Sequence, residues 1–144
     1  MESSPKTNLT VSLLLLRLTV FLVMLMWTLD KFIRPDHAAR VFKNFYFLPV
    51  GDTTVVIVGI AEIILLAVFV TGLCKRFTYG AVLVLHAIST LSSFKQYLAP
   101  YEGGNLLFFA AWPMLAACVA LYLLRREDVL WTASSGRQRT AEER

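Results

Sequence analysis

The sequence predicts an all-α integral membrane protein: an up-down bundle of four transmembrane helices with a short interfacial helix in its first loop. Three observations carry that expectation. Of the 144 residues, 57% are hydrophobic and only 17% are charged, against about 25% charged in an average soluble domain. Four apolar stretches, residues 9–28, 53–73, 77–98 and 105–124, each approach the roughly 20 residues that a hydrocarbon core about 30 Å thick requires. The last three are joined by short links, Cys74-Lys75-Arg76 and Pro100-Tyr101-Glu102-Gly103-Gly104, and short links make antiparallel neighbours.

Residues 1–8 read as a cytoplasmic N-terminal segment, and residues 9–131 as the transmembrane domain. The first apolar stretch is too long for a signal peptide. It is interrupted by Arg17 and ends in polar and aromatic residues rather than at a small-residue cleavage site, so it reads as a retained helix. In the loop that follows, Pro35 suits the first turn of a helix. Ala38, Val41, Phe42 and Phe45 then fall at helical spacing, opposed by His37, Arg40, Lys43 and Asn44. That amphipathic pattern predicts a helix lying in the headgroup region; an irregular loop with aromatic anchors is the plainer alternative. Trp112 and Pro113 fall inside the fourth stretch, where a missing amide hydrogen bond predicts a kink. Residues 132–144 read as a polar, disordered tail.

The net charge of +4 does not suggest nucleic acid, because the Lys and Arg residues stand at the ends of apolar runs. Counting them by side places eight with the N-terminus, the second link and the C-terminus, and five on the opposite side. The positive-inside rule therefore predicts that both termini are cytoplasmic. Cys74 and Cys118 are too few and too far apart for a disulfide scaffold and read as small buried hydrophobes.

Three ionisable residues lie deep in the apolar stretches: Arg17, Glu62 and His86. Such groups are costly in a bilayer and usually face the bundle interior with a partner. At about 1.5 Å of rise per residue, they fall at roughly 12, 16 and 14 Å from the cytoplasmic end, nearly one level. Ser89, Thr90 and Ser93 continue the His86 face, and with Trp112 they outline a candidate ligand-binding pocket. Two readings stand. One is an Arg17–Glu62 pair, hydrogen-bonded to His86, that fixes helix register. The other is a small-ligand or proton site in which Glu62 and His86 exchange protons. No metal site is expected, since His86 and Glu62 alone would under-ligate an ion. A second cluster, Trp27, Asp30, Lys31, Lys95, Gln96, Tyr97 and Glu102, reads either as ordinary interface anchors or as a membrane-interface mouth to that pocket.

Several of these residues resemble the DoxX-like family. They are the early Arg17, Trp27 with Asp30-Lys31-Phe32, Gly59-Ile60-Ala61-Glu62, the run from Gly72 to Arg76, and His86. The resemblance extends from about Leu13 to Leu124. It implies a four-helix inner-membrane protein in a family that includes a quinone-linked subunit of thiosulfate oxidation. Other members are redox-associated proteins found alongside soluble oxidoreductases, and membrane proteins that assist the folding or trafficking of others. On that basis the expected function is a redox-associated subunit with a quinone as its possible ligand, its head held by Arg17, Glu62 and His86. A separate oxidoreductase would donate the electrons. The alternatives are a non-enzymatic scaffold or assembly factor, and a small transporter, which with four helices calls for a homodimer.

Overall fold

The computed structural model describes residues 5–133. Within them the chain is all helical: α1 (Pro5–Ile33), α2 (Pro35–Phe45), α3 (Asp52–Val70), α4 (Lys75–Ser92), α5 (Phe94–Leu98) and, after a 3-10 segment (Asn105–Ala110), α6 (Ala111–Leu123). Three helical stretches are long and apolar enough to cross a membrane: Pro5–Ile33, Asp52–Val70 and Asn105–Leu123.

α1 begins before residue 9 and runs past residue 28, so residues 5–8 of the expected N-terminal segment belong to the helix. Its 29 residues span about 43 Å, more than the hydrocarbon core requires. It ends at Arg34, whose φ of −138° and ψ of 66° leave the helical region, as the residue before a proline is disposed to do. Pro35 then opens α2, which turns Ala38 inward against its neighbours. The spacing of Ala38, Val41, Phe42 and Phe45 thus does form a helix.

α3 closes with a Schellman motif. Gly72, at φ +66°, brings its N–H to the Phe69 carbonyl and the Leu73 N–H to that of Val68, capping carbonyls the helix would leave bare. The expected third stretch, 77–98, breaks at Ser93 into α4 and α5. There the Ser92 and Ser93 hydroxyls both bond the Ser89 carbonyl, a local alternative to the helical ladder. The fourth stretch starts as a 3-10 turn, which places Pro113 at the third residue of α6. Pro113 therefore stands in a first turn, where it removes no intrahelical bond, just after a change of helix type.

α1 packs on α3 and α6, and α4 packs on the same two, so the four helices close a ring. Leu13 and Val20 of α1, Leu66 and Phe69 of α3, Tyr79 and Val82 of α4, and Cys118 and Leu121 of α6 meet in one buried cluster. α2 leans on α1 and α3. Cys118 is buried as expected, whereas Cys74 is exposed, because it occupies the tight α3–α4 turn at φ +46°. The chain after α6 folds back. Thr132 is 5% exposed, and the Ala133 N–H bonds the Thr71 carbonyl at 2.9 Å. The expected disordered tail therefore does not begin at residue 132; its remainder, 134–144, lies outside the described residues.

Candidate functional site

Arg17 lies on the inward face of α1 and is fully buried. Its Nη1 donates to Asp128 Oδ2 at 2.9 Å, and its Nη2 donates to the carbonyls of Leu130 at 2.6 Å and Trp131 at 3.3 Å. Tyr79 of α4 donates its hydroxyl to the same Asp128 oxygen at 2.6 Å. Lys75 reaches the Asp128 carbonyl at 2.5 Å. Asp128 is as buried as Arg17, so each charge is stabilised chiefly by the other and by this collar of dipoles. The cluster ties α1, the start of α4 and the returning chain together at one end of the molecule.

Glu62 belongs to a different place. Its Oε2 accepts from Lys31 Nζ at 2.8 Å and from the Thr28 hydroxyl at 2.9 Å. Both partners are on α1, eleven or more residues beyond Arg17, or about 16 Å along the helix. The expected Arg17–Glu62 pair is therefore not formed. His86 is separate again: its Nε2 lies 3.1 Å from the Ala111 carbonyl and 3.3 Å from the Thr90 hydroxyl.

The heights explain the error. Phe69 and Tyr79 meet edge to face, with centroids 5.0 Å apart. Counted from that contact on antiparallel helices, Glu62 and His86 each stand seven residues away in the same direction, about 10 Å. Arg17, touching Tyr79, lies a full step lower. The single polar level expected from sequence is really two.

The other candidates also separate. The Ser93 hydroxyl bonds the Ser89 carbonyl within its own helix end. Trp112, 45% exposed, packs beside Tyr97 with ring centroids 5.6 Å apart. Lys95 sits over the Phe47 ring at 5.2 Å.

One expected group does gather more chemistry than foreseen. Asp30, 9% exposed, accepts at Oδ1 from Arg34 Nε at 2.7 Å. Its Oδ2 lies 2.6 Å from His37 Nδ1. Since the carboxylate can only accept, Nδ1 carries the hydrogen, and Nε2 is the nitrogen left to take up or release a proton. Beside this triad runs an open groove of about 380 Å³, lined by Met26, Trp27, Leu29, Asp30, Ile33 and Arg34. Arg17, Glu62 and His86 do not line it.

Sequence reasoning does not reveal Asp128, Tyr79 or His37 as partners. For His37 a signal exists: Asp30, Arg34 and His37 stand at i, i+4 and i+7, one helical face if the register continues across Pro35. For Asp128 the hint is weaker, an acid just past the fourth stretch and on the side from which Arg17 enters. Among the described residues no three His, Cys, Asp or Glu side chains converge as metal ligands. No family model, curated protein or solved structure matches the chain.

Proposed function

We propose that the chain is a four-span inner-membrane protein of the DoxX-like kind, serving as the membrane subunit of a redox system and holding a quinone-type head group beside Asp30. The fourth span is α4 with α5. Its place in the ring between α3 and α6 and its share of the common core favour this, although its polar residues lower its hydropathy. α2 then lies along the membrane surface. Both termini are cytoplasmic, in keeping with the greater number of Lys and Arg residues on that side.

One observation carries the choice of site. The ionisable groups within the ring are each bonded to their neighbours, whereas Asp30 and Arg34 line an open groove with largely apolar walls, and His37 is joined to it through Asp30. Reduction of a quinone to its quinol takes two electrons and two protons. The electrons come from a separate oxidoreductase, and His37 Nε2, with Nδ1 held by Asp30, passes protons to the head group. Arg34 donates to a quinone carbonyl, and the isoprenoid tail follows the exposed Met26 and Ile33 into lipid.

The test is mass spectrometry of small molecules that co-purify with the full chain in mild detergent, with circular dichroism as a check on folding. Stoichiometric quinone, lost from Asp30→Asn and His37→Ala but kept in Glu62→Gln and His86→Ala, is the expected result. Absence of quinone from every sample sinks this reading in favour of a second one. That second reading is a non-catalytic scaffold or assembly factor, and the sealed Arg17–Asp128 cluster favours it, since a buried ion pair of this kind holds the fold together.

A further inference from the structure

We infer that the depression between α2 and the Pro49–Val50 stretch is a seat for the phosphate of an anionic phospholipid, gripped by Arg40 and Lys43. The depression encloses about 320 Å³ and is lined by Ala39, Arg40, Lys43, Pro49 and Val50. Its two cations are three residues apart on one helix and share a face. Its other walls are apolar, so a headgroup finds charge on one side and hydrocarbon on the other. This site is separate from the groove beside Asp30 and does not depend on the quinone reading.

Charge complementarity identifies the occupant. Arg40 Nη1 donates to Asp36 Oδ2 at 3.1 Å, an exposed contact that neutralises one of the two cations. Lys43 has no ion pair among the described residues. One net positive charge remains, the complement of a single phosphodiester. The surroundings point to a lipid rather than a dissolved ion. α2 rests on α1 and α3, both long and apolar enough to cross a membrane, and Phe47 and Leu48 beside it are 61% and 53% exposed. A basic amphipathic helix with large apolar residues at its edge is suited to the anionic headgroup layer.

The experiment reconstitutes the full chain in equimolar phosphatidylcholine and phosphatidylglycerol, extracts it in mild detergent, and counts retained lipids by native mass spectrometry. The wild type is expected to keep phosphatidylglycerol in preference to phosphatidylcholine. Arg40→Gln with Lys43→Gln is expected to cut that preference about tenfold, with its melting temperature unchanged because both side chains are exposed. Asp36→Asn, which frees a cation, is expected to raise it. Equal retention of the two lipids by the wild type overturns the proposal, and so does undiminished preference in the double variant. Displacement of the bound lipid by inorganic phosphate alone also overturns it, since the seat would then belong to a free anion.

Discussion

The molecule carries two ionic clusters at its two ends, built from similar residues and exposed very differently. The Arg17–Asp128 side chains are 1% and 0% exposed, and Tyr79 and backbone carbonyls close around them. At the other end the Lys31–Glu62 side chains are 12% and 16% exposed, and the Asp30–Arg34 pair runs from 9% to 63%. The first cluster holds three distant parts of the chain in place, and its two unbonded atoms, Arg17 Nε and Asp128 Oδ1, are buried. The second keeps the His37 imidazole and the Arg34 guanidinium partly exposed. Carboxylates and cations alone do not mark a functional site; what matters is whether their remaining donors face a space that another molecule can enter.

The comparison is sharpest if one partner of the sealed pair is removed. Asp128→Ala leaves the Arg17 guanidinium buried without its counter-charge, which costs about 3–5 kcal/mol. Unfolding in detergent, followed by circular dichroism, should show this as the largest loss of any substitution considered. Replacing both partners, Arg17→Met with Asp128→Leu, should restore most of the loss, because a packed apolar pair avoids the desolvation penalty. If the single and double variants were equally damaged, the cluster would be holding the fold by shape rather than by charge balance.

Gly72 probes the same end through the backbone. Its φ of +66° disfavours any side chain, and a Cβ there would stand 2.6 Å from Thr132 Cγ2 and 3.1 Å from Arg17 Nη1. Gly72→Ala is therefore expected to destabilise by about 1–3 kcal/mol and to loosen the chain after α6. Faster cleavage after α6 by added protease, with the membrane spans intact, would register that loosening.

These two effects also show where the sequence was readable. The apolar runs announced α1 and α3, and the spacing after Pro35 announced α2, because lipid burial and helical period leave local signatures. Arg17 and Glu62 were visible as costly ions in apolar stretches. Their partners were not. Asp128 reaches Arg17 only because the chain reverses after α6, and a reversal outside the apolar run has no period to betray it. Depth arithmetic failed for a related reason. It assumed that the apolar runs all begin at one level, but Arg17 meets Tyr79 near the start of α4, about two helical turns from the level of Glu62 and His86. The 3-10 turn at Asn105–Ala110 was equally hidden, since its residues suit an α-helix as well.

At the open end the expected effects are smaller. Glu62→Gln removes a charge that Lys31 shares with partial exposure, while an amide oxygen can still accept from the Thr28 hydroxyl. A loss of about 1–3 kcal/mol is expected, between that of an exposed and a fully buried pair, measured by the same detergent unfolding. A loss as large as that of Asp128→Ala would erase the contrast between the two ends and make Glu62 a second structural keystone.

The smallest effect belongs to the exposed pair on α2. The hydrogen bond from Arg40 holds the Asp36 carboxyl below its ordinary value, against a lesser desolvation that pushes it up. A carboxyl depressed in the folded state contributes stability at neutral pH, and that contribution is lost as the pH falls through its folded value. Because the pair is bathed in solvent, melting should hardly respond, and the titration itself is the useful readout. Carbon NMR of the Asp36 carboxyl should give a midpoint below that of an unpaired aspartate, and Arg40→Ala should raise it. The same pairing decides how much of the Arg40 charge is left for a lipid phosphate, so an unshifted midpoint in the wild type would mean that α2 offers two free cations rather than one.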